Sequence, residues 1–418
     1  MKPLSSLIKR IGTETGFVVS SEIAKLENEG WNITRLTLGE PNGNIPSPAT
    51  KAIKESLDRH ETHYGASKGF QKLREEIAKY VSVTRGVDYS AEDVTLTPGG
   101  KTVICQTIMS YVDHGDEVIV PSPGYPVYES MVNLMGGKVV KVPILEEKDF
   151  TFDVNVLKKL VTPKTKLLVL NSPQNPTGGV LNKEDIKEIA EIVRKNDLYV
   201  LSDEIYSRIV YGKGFDTVEF KGNKFPIAPS IASLPDMAER TIILDGFSKT
   251  YAMTGMRVGF GCTKNKEWNY YAVNIAINYW ACLPLPCQMA ALACLGEDQT
   301  EAMSDCKALE EKRDIVVDGL NKIKDIKCKK PKGSFYSFVN VTKVCKNLGL
   351  KNSEALRKYL LTYDKKNKRG MGVLSRQHFG ERRPDETEEY IRISFAGSKE
   401  TLREGVARMK DAIENPRL

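Results

Sequence analysis

Between about residue 93 and residue 261, short β-branched runs alternate with helical patterns, and no other feature restricts the fold as strongly. Strands are expected at 93–97, 117–121, 138–142, 166–171, 199–202, 241–245 and 257–261. Parallel strands need a crossover of about a dozen residues or more, usually a helix. Helical patterns at 102–112, 127–134 and 183–195 supply such crossovers. The expected core is an α/β architecture, a mainly parallel seven-stranded sheet covered by helices.

The two ends of the chain read differently. A long charged helix is expected from about Glu301, short strands near 334–339 and 390–394, and a last helix from Lys399. With the helical segment 20–29 these resemble a smaller α+β unit. The expected division is a large domain at 49–298 and a discontinuous small domain of 1–48 and 299–418. A chain of 418 residues is long enough for both.

Composition removes several function classes. Lys+Arg 61 against Asp+Glu 54 leaves a net charge of +7, mild for this length. The basic runs at 327–332 and 365–369 do not interleave with aromatics, so nucleic acid is not an expected partner. The cysteines (8 in the chain) contain no C-x-x-C pair, and the start MKPLSSLIKR has no apolar core of a secretion signal. Both fit a soluble, cytoplasmic protein. Residues 275–295 are uncharged and long enough to span a bilayer, but Pro284 and Pro286 break them, so a buried loop and core helix are expected. No metal site is expected, since His60 and His63 have no cysteine ligand nearby.

Polar and glycine-rich segments fall just after the expected strands, where an open α/β sheet places its ligands. Gly99-Gly100-Lys101 enters a helix; backbone N–H groups there suit a phosphate, and equally suit a plain turn. Tyr125 follows the second strand and reads as a ring-stacking or a core aromatic. The fourth strand ends in Asn171-Ser172-Pro173-Gln174-Asn175-Pro176, a rigid turn or a site. Asp203 ends the fifth strand, where a carboxylate is costly unless paired and otherwise serves as a helix cap. Lys249 lies just past an apolar strand, followed by small residues and Arg257. A lysine desolvated there can have its pKa lowered and form a Schiff base.

The ordered set NSPQNPTGG, SDEIY, DGFSKTYAMTGMRVG and YIRISFA resembles the class I/II aminotransferases of fold type I, which use pyridoxal 5′-phosphate (PLP). The likeness runs from Leu38-Gly39-Glu40-Pro41 to the last helix and is closest to the aspartate aminotransferase-like subgroup. It implies that Lys249 holds PLP as a Schiff base and shuttles a proton, while Asp203 faces the pyridine nitrogen. Asn175 and Tyr206 would hydrogen-bond the phenolate oxygen, and Tyr125 would stack on the ring. Gly99, Gly100, Lys101, Ser248 and Arg257 would hold the phosphate. Tyr64 would reach the neighbouring subunit's phosphate, which implies a homodimer. Arg392 would clamp the substrate α-carboxylate through a bidentate fork, with Gly39 and Asn175 beside it.

The implied reaction moves an amino group from an L-amino acid to a 2-oxo acid. Lys101 could pair with a distal carboxylate, which favours aspartate and 2-oxoglutarate; Glu14 would repel such a substrate if it pointed inward. Aromatic or alanine transfer, and PLP-dependent carbon–sulfur β-elimination, are the alternatives. A ligand-sensing transcription regulator is not expected, because about forty residues before Gly39 are too few for a DNA-binding domain and linker. Three departures from the family pattern stand out. Gly246 replaces a common serine, Met256 replaces a common tryptophan, and the segment 374–380 replaces a small glycine-containing loop. Arg376 within it is a candidate for a second anion contact.

Overall fold

The structure, a computed structural model, describes residues 2–12 and 14–417. Its central sheet comprises β1 (Val94–Pro98), β2 (Glu117–Ser122), β3 (Lys138–Pro143), β4 (Thr165–Asn171), β5 (Tyr199–Asp203), β6 (Thr241–Gly246) and β7 (Val258–Cys262). The order across the sheet is β1-β7-β6-β5-β4-β2-β3. All neighbours are parallel except at β7, which runs against both β1 and β6. The seven expected strands form, and this α/β sheet is mostly parallel as anticipated.

These segments are strands because they are covered on both faces. Leu167 to Leu170 in β4 and Ile242 to Leu244 in β6 are buried one after another, without the polar alternation of a half-exposed sheet. Each such side chain stabilises the fold by about 1.5–3 kcal/mol on burial. The covering helices carry one apolar face each. In Lys183–Lys195 that face is Ile186, Ile189, Ala190 and Val193; the Asn182 side chain caps the N-terminus by accepting from the Asp185 N–H. Glu184 and Asp185 in its first turn, with Arg194 and Lys195 in its last, complement the helix dipole.

Residues 275–295 divide between the helices Lys266–Tyr279 and Leu285–Cys294, separated at the proline break. Among the described residues no helix is long and apolar enough to cross a membrane.

A second, antiparallel sheet orders Tyr336–Asn340, Tyr390–Ser394 and Leu374–Ser375. Helices Thr300–Leu320 and Lys399–Glu414 pack over it through a core that includes Val316, Phe335, Ile391, Ile393 and Leu402. The N-terminal strand Asn32–Arg35 pairs in parallel with Arg369–Gly372, so the two ends of the chain meet here. The hairpin Asp216–Phe220/Asn223–Ile227 was not expected. Its two-residue turn puts Lys221 and Gly222 at positive φ, a task usually signalled by Asn-Gly or Asp-Gly.

Candidate functional site

Because β1, β2, β4, β5 and β6 run in parallel, their carboxyl ends share one edge of the sheet, and antiparallel β7 starts there. A cleft of about 520 Å³ opens at this edge. Lys249, Asp203, Tyr206, Asn175, Ser248, Arg257, Gly100, Lys101, Tyr125, Gly39 and Arg392 all line it. Residues far apart in sequence thus converge on one cleft.

Lys249 follows β6, and its Nζ donates to the Gly39 carbonyl at 2.7 Å. Desolvation lowers its pKa to about 8; Glu40 opposes that shift, while Arg257 and Arg392 add to it. The neutral, nucleophilic amine is therefore far more populated near pH 7 than for a solvated lysine.

Asp203 ends β5 and is buried. Its Oδ2 accepts from the Tyr128 hydroxyl at 2.5 Å, and its Oδ1 accepts from the Ile205 N–H at 3.3 Å. Burial raises its pKa to about 6 despite the Tyr128 hydrogen bond, and the charges of Asp245 and Glu204 push the same way. Among the described residues no cationic side chain is paired with it, although it faces the cleft.

A buried triad braces this region. Arg85, the last residue of helix Gln71–Arg85, donates through Nε to Glu204 Oε2 at 2.8 Å and through Nη2 to Asp245 Oδ2 at 2.9 Å. The three side chains are 0%, 4% and 5% exposed. Ser202 and Ser230 donate to the other Glu204 oxygen, and Ser207 donates to Asp245. The triad ties the loop that follows Asp203 to the strand that leads to Lys249.

At the N-terminus of helix Gly100–Tyr111, Gly99 takes φ +81°, and the first turn holds no acidic residue. The Arg257 guanidinium donates to the carbonyls of Thr254 and Pro98. It lies so close that a Cβ on Gly99 would stand 2.7 Å from Arg257 Cζ. The positive φ favours glycine there, and a Cβ would also push the Arg257 guanidinium aside. Buried Ser248 completes the cradle.

Arg392 is buried on the strand Tyr390–Ser394. It donates through Nη1 to Asn175 Oδ1 at 3.0 Å and through Nη2 to the Thr37 carbonyl at 2.6 Å, while its buried Nε has no partner among the described residues. The guanidinium lies 4.3 Å from the Tyr336 ring centroid and 5.0 Å from that of Phe379. Tyr206 and Tyr336 join hydroxyls at 2.9 Å.

Several expectations are refined. Lys101 is not a free cation: its Nζ is 2.7 Å from Glu14 Oε2, and Glu14 does point into the cleft. Tyr125 donates to the same oxygen at 3.0 Å and meets Tyr128 edge-on. Arg376 offers no second anion contact, because it is buried outside the cleft, paired with Glu386 and bonded to the Phe379 and Gly380 carbonyls. Tyr64 stands outside its own chain's cleft, 91% exposed.

Two departures have physical causes. A Cβ on Gly246 would lie 2.8 Å from Gly259 Cα across the β6–β7 pair, so a serine has no room there. Met256 is partly buried against the cluster around Phe247 and Phe260, a packing role. Sequence reasoning missed Tyr128, Tyr336, Phe379 and His378 in the cleft lining. Tyr128 lies in the first turn of the helix Val127–Met135, whose N-terminus follows directly on Tyr125. His378 hydrogen-bonds Thr15, and burial lowers its pKa to about 4, so it stays neutral.

The cleft therefore presents a buried carboxylate without a cation, an amine of lowered pKa, and a helix N-terminus braced by an arginine. Such a set accommodates a ligand with a protonatable ring nitrogen, a carbonyl and a phosphate. PLP carries all three, and the residues present fit it.

Comparison with known proteins agrees. Residues 32–409 match the family described as aminotransferase class I and II. An aromatic-amino-acid aminotransferase 2 of Thermococcus litoralis is 36% identical over 95% of this chain and 97% of its own length. An aspartate aminotransferase of Musicola paradisiaca is 30% identical over 99% and 97%. The aspartate aminotransferase of Thermus thermophilus, solved with maleate, superposes with a TM-score of 0.87 at 28% identity, covering 98% of this chain and 99% of that one. With its cleft assembled from those motifs, the chain belongs to the class I and II aminotransferases, a PLP-dependent family.

Proposed function

We propose that this aminotransferase moves the amino group of aspartate to 2-oxoglutarate, using Lys249 as its proton carrier and Arg392 as its carboxylate clamp. The observation that carries the transfer chemistry is the amine of Lys249, held 2.7 Å from the Gly39 carbonyl, with a pKa lowered to about 8, and Lys101 in the cleft lining favours a substrate with a distal carboxylate.

PLP, when bound, supplies a carbonyl that takes the amino group and a ring that accepts the electron pair released at the substrate Cα. Asp203 keeps the ring nitrogen protonated: a buried carboxylate is stabilised by a cation beside it. Gly99, Gly100 and the backbone N–H of Lys101, with Ser248 and Arg257, would hold the phosphate, Asn175 and Tyr206 would hydrogen-bond the phenolate oxygen, and Tyr125 would stack on the ring. Arg392 receives the α-carboxylate and is kept in place by Asn175 and Thr37. Lys249 Nζ then removes the Cα proton as a general base and returns it as a general acid.

The assembly reading is a homodimer in which Tyr64 reaches the neighbouring phosphate. It is supported by the exposure of Tyr64 and of Tyr270, Tyr271, Ile277 and Tyr279 along one helix, an apolar surface unusual for a monomer. Two lobes, 49–298 and 1–48 with 299–418, are supported by the pairing of Asn32–Arg35 with Arg369–Gly372. Eight free cysteines suit a reducing cytoplasm.

A second reading, transfer from aromatic amino acids, is favoured by Phe17 and Tyr125 in the lining and by the Thermococcus relative's name. The test is a panel of single amino acids added to the holoenzyme, following loss of its visible absorbance. Aspartate and glutamate should react fastest. Pyruvate and ammonia released from cystathionine, with no glutamate formed from aspartate and 2-oxoglutarate, would overturn the reading in favour of β-elimination.

A further inference from the structure

Among the described residues, four cationic heads of lysine and arginine line the cleft: Lys249, Arg257, Arg392 and Lys101. Arg257 is packed against Gly99, and Arg392 is held by Asn175 and Thr37 with one buried N–H to spare. Lys101 is thus the cation left for a second carboxylate on a substrate. That cation is already matched. Glu14 Oε2 sits 2.7 Å from its Nζ and also accepts from the Tyr125 hydroxyl. The rings of Phe17 and Tyr125 lie 5.7 and 5.8 Å from the same Nζ. The distal end of the cleft is therefore electrically neutral and partly aromatic.

The pair is not sealed. Its side chains are 42% and 27% exposed, for Lys101 and Glu14 respectively. A carboxylate arriving from the cleft can take the place of Glu14 on Lys101 without leaving either charge buried and unpaired. Glu14 itself lies in the segment leading to helix Gly16–Asn28, on a different part of the chain from Lys101.

We infer that Glu14 is a specificity-determining residue, an internal stand-in for the distal carboxylate of a dicarboxylic substrate. With Glu14 on Lys101, the cleft accepts uncharged and aromatic L-amino acids. With Glu14 displaced, it accepts aspartate, glutamate and their 2-oxo acids. An aminotransferase has to admit both its donor and its acceptor in one cleft, and this exchange lets the two differ in charge. The inference rests on the aminotransferase reading above.

The test uses unreactive probes, succinate and 3-phenylpropanoate, titrated calorimetrically into the holoenzyme. Glu14→Gln should tighten succinate about fivefold, the scale of one partly exposed ion pair, and change 3-phenylpropanoate by less than about twofold. In a Lys101→Met background the gain from Glu14→Gln should vanish, since Glu14 acts through that lysine. No tightening in Glu14→Gln, an equal gain in the Lys101→Met background, or no binding of succinate by any variant would overturn the inference. The parent reading fails differently, by a wild-type holoenzyme that no amino acid converts, whatever the succinate titrations show.

Discussion

Replacing Arg85 by methionine keeps the length and most of the volume of the side chain but removes its charge. Glu204 and Asp245 would then remain at 4% and 5% exposure without the guanidinium that holds them at 2.8 and 2.9 Å. Breaking a buried ion pair by deleting one partner costs about 3–5 kcal/mol, because a charge is left uncompensated. With an unfolding entropy of about 2.1 cal/mol/K per residue, that loss lowers Tm by about 3–6 °C in a chain of this length.

The sign of the pH dependence follows from Asp245. Burial raises its pKa to about 6 even with Arg85 beside it, above the ordinary 3.8. The folded state therefore binds more protons than the unfolded one between those values, and this group's contribution to stability falls as pH rises through about 4 to 6. Without Arg85 the shift grows and the window extends upward. The Tm deficit of Arg85→Met should be larger at pH 8 than at pH 5.5, where Asp245 can accept a proton, and Arg85→Lys should recover part of it. Differential scanning fluorimetry of wild type and both variants across that range is the assay. A deficit below about 1 °C, or one independent of pH, would refute the reasoning.

Three further outcomes follow from the cleft. The rate at which apoenzyme takes up PLP should rise about tenfold per pH unit below pH 8 and level off above it, tracking the neutral amine of Lys249. Lys249→Ala should retain PLP only weakly and lose turnover; an uptake rate still climbing beyond pH 10 would mean the lysine is not desolvated. Gly99→Ala should weaken PLP binding at least about tenfold, because a Cβ would strain the left-handed φ of +81° and press on Arg257. Equilibrium dialysis of the cofactor reads this directly, and unchanged affinity would separate Gly99 from the phosphate.

The sheet was legible in the sequence because fully buried strands must be apolar throughout. Their runs stand out whatever lies beside them, and the loops after them carry dense polar motifs. Asp203 and Lys249 stood out that way, and Arg392 only through the order of the motifs. The Arg85–Glu204–Asp245 triad was not, since its members come from a helix end and two strand ends, and none is unusual alone. Glu14 on Lys101 was framed only as a condition, because the direction in which a side chain points is set by packing between distant segments. Tyr336 and Tyr128 resemble core aromatics in sequence, and they are core aromatics that also face the cleft. Arg376 stood out by charge, yet the structure uses it to knit a loop.

The reversed direction of β7 has a consequence for how this chain can vary. Since β6 ends and β7 begins at the same edge, residues 247–257 leave the sheet and return to it without crossing, clamped at their base by the pairing of Gly246 with Gly259. That stretch is a self-contained cassette, and it carries Ser248, Lys249 and Arg257 into the cleft while every strand keeps its register. Met256 lies inside it, and Gly246, the other family departure nearby, is one half of its clamp. A side chain at either glycine of the clamp would therefore displace Lys249 and Arg257 together, relative to Asp203 on β5, so the pair limits what the chain can tolerate at the base of its own active-site loop.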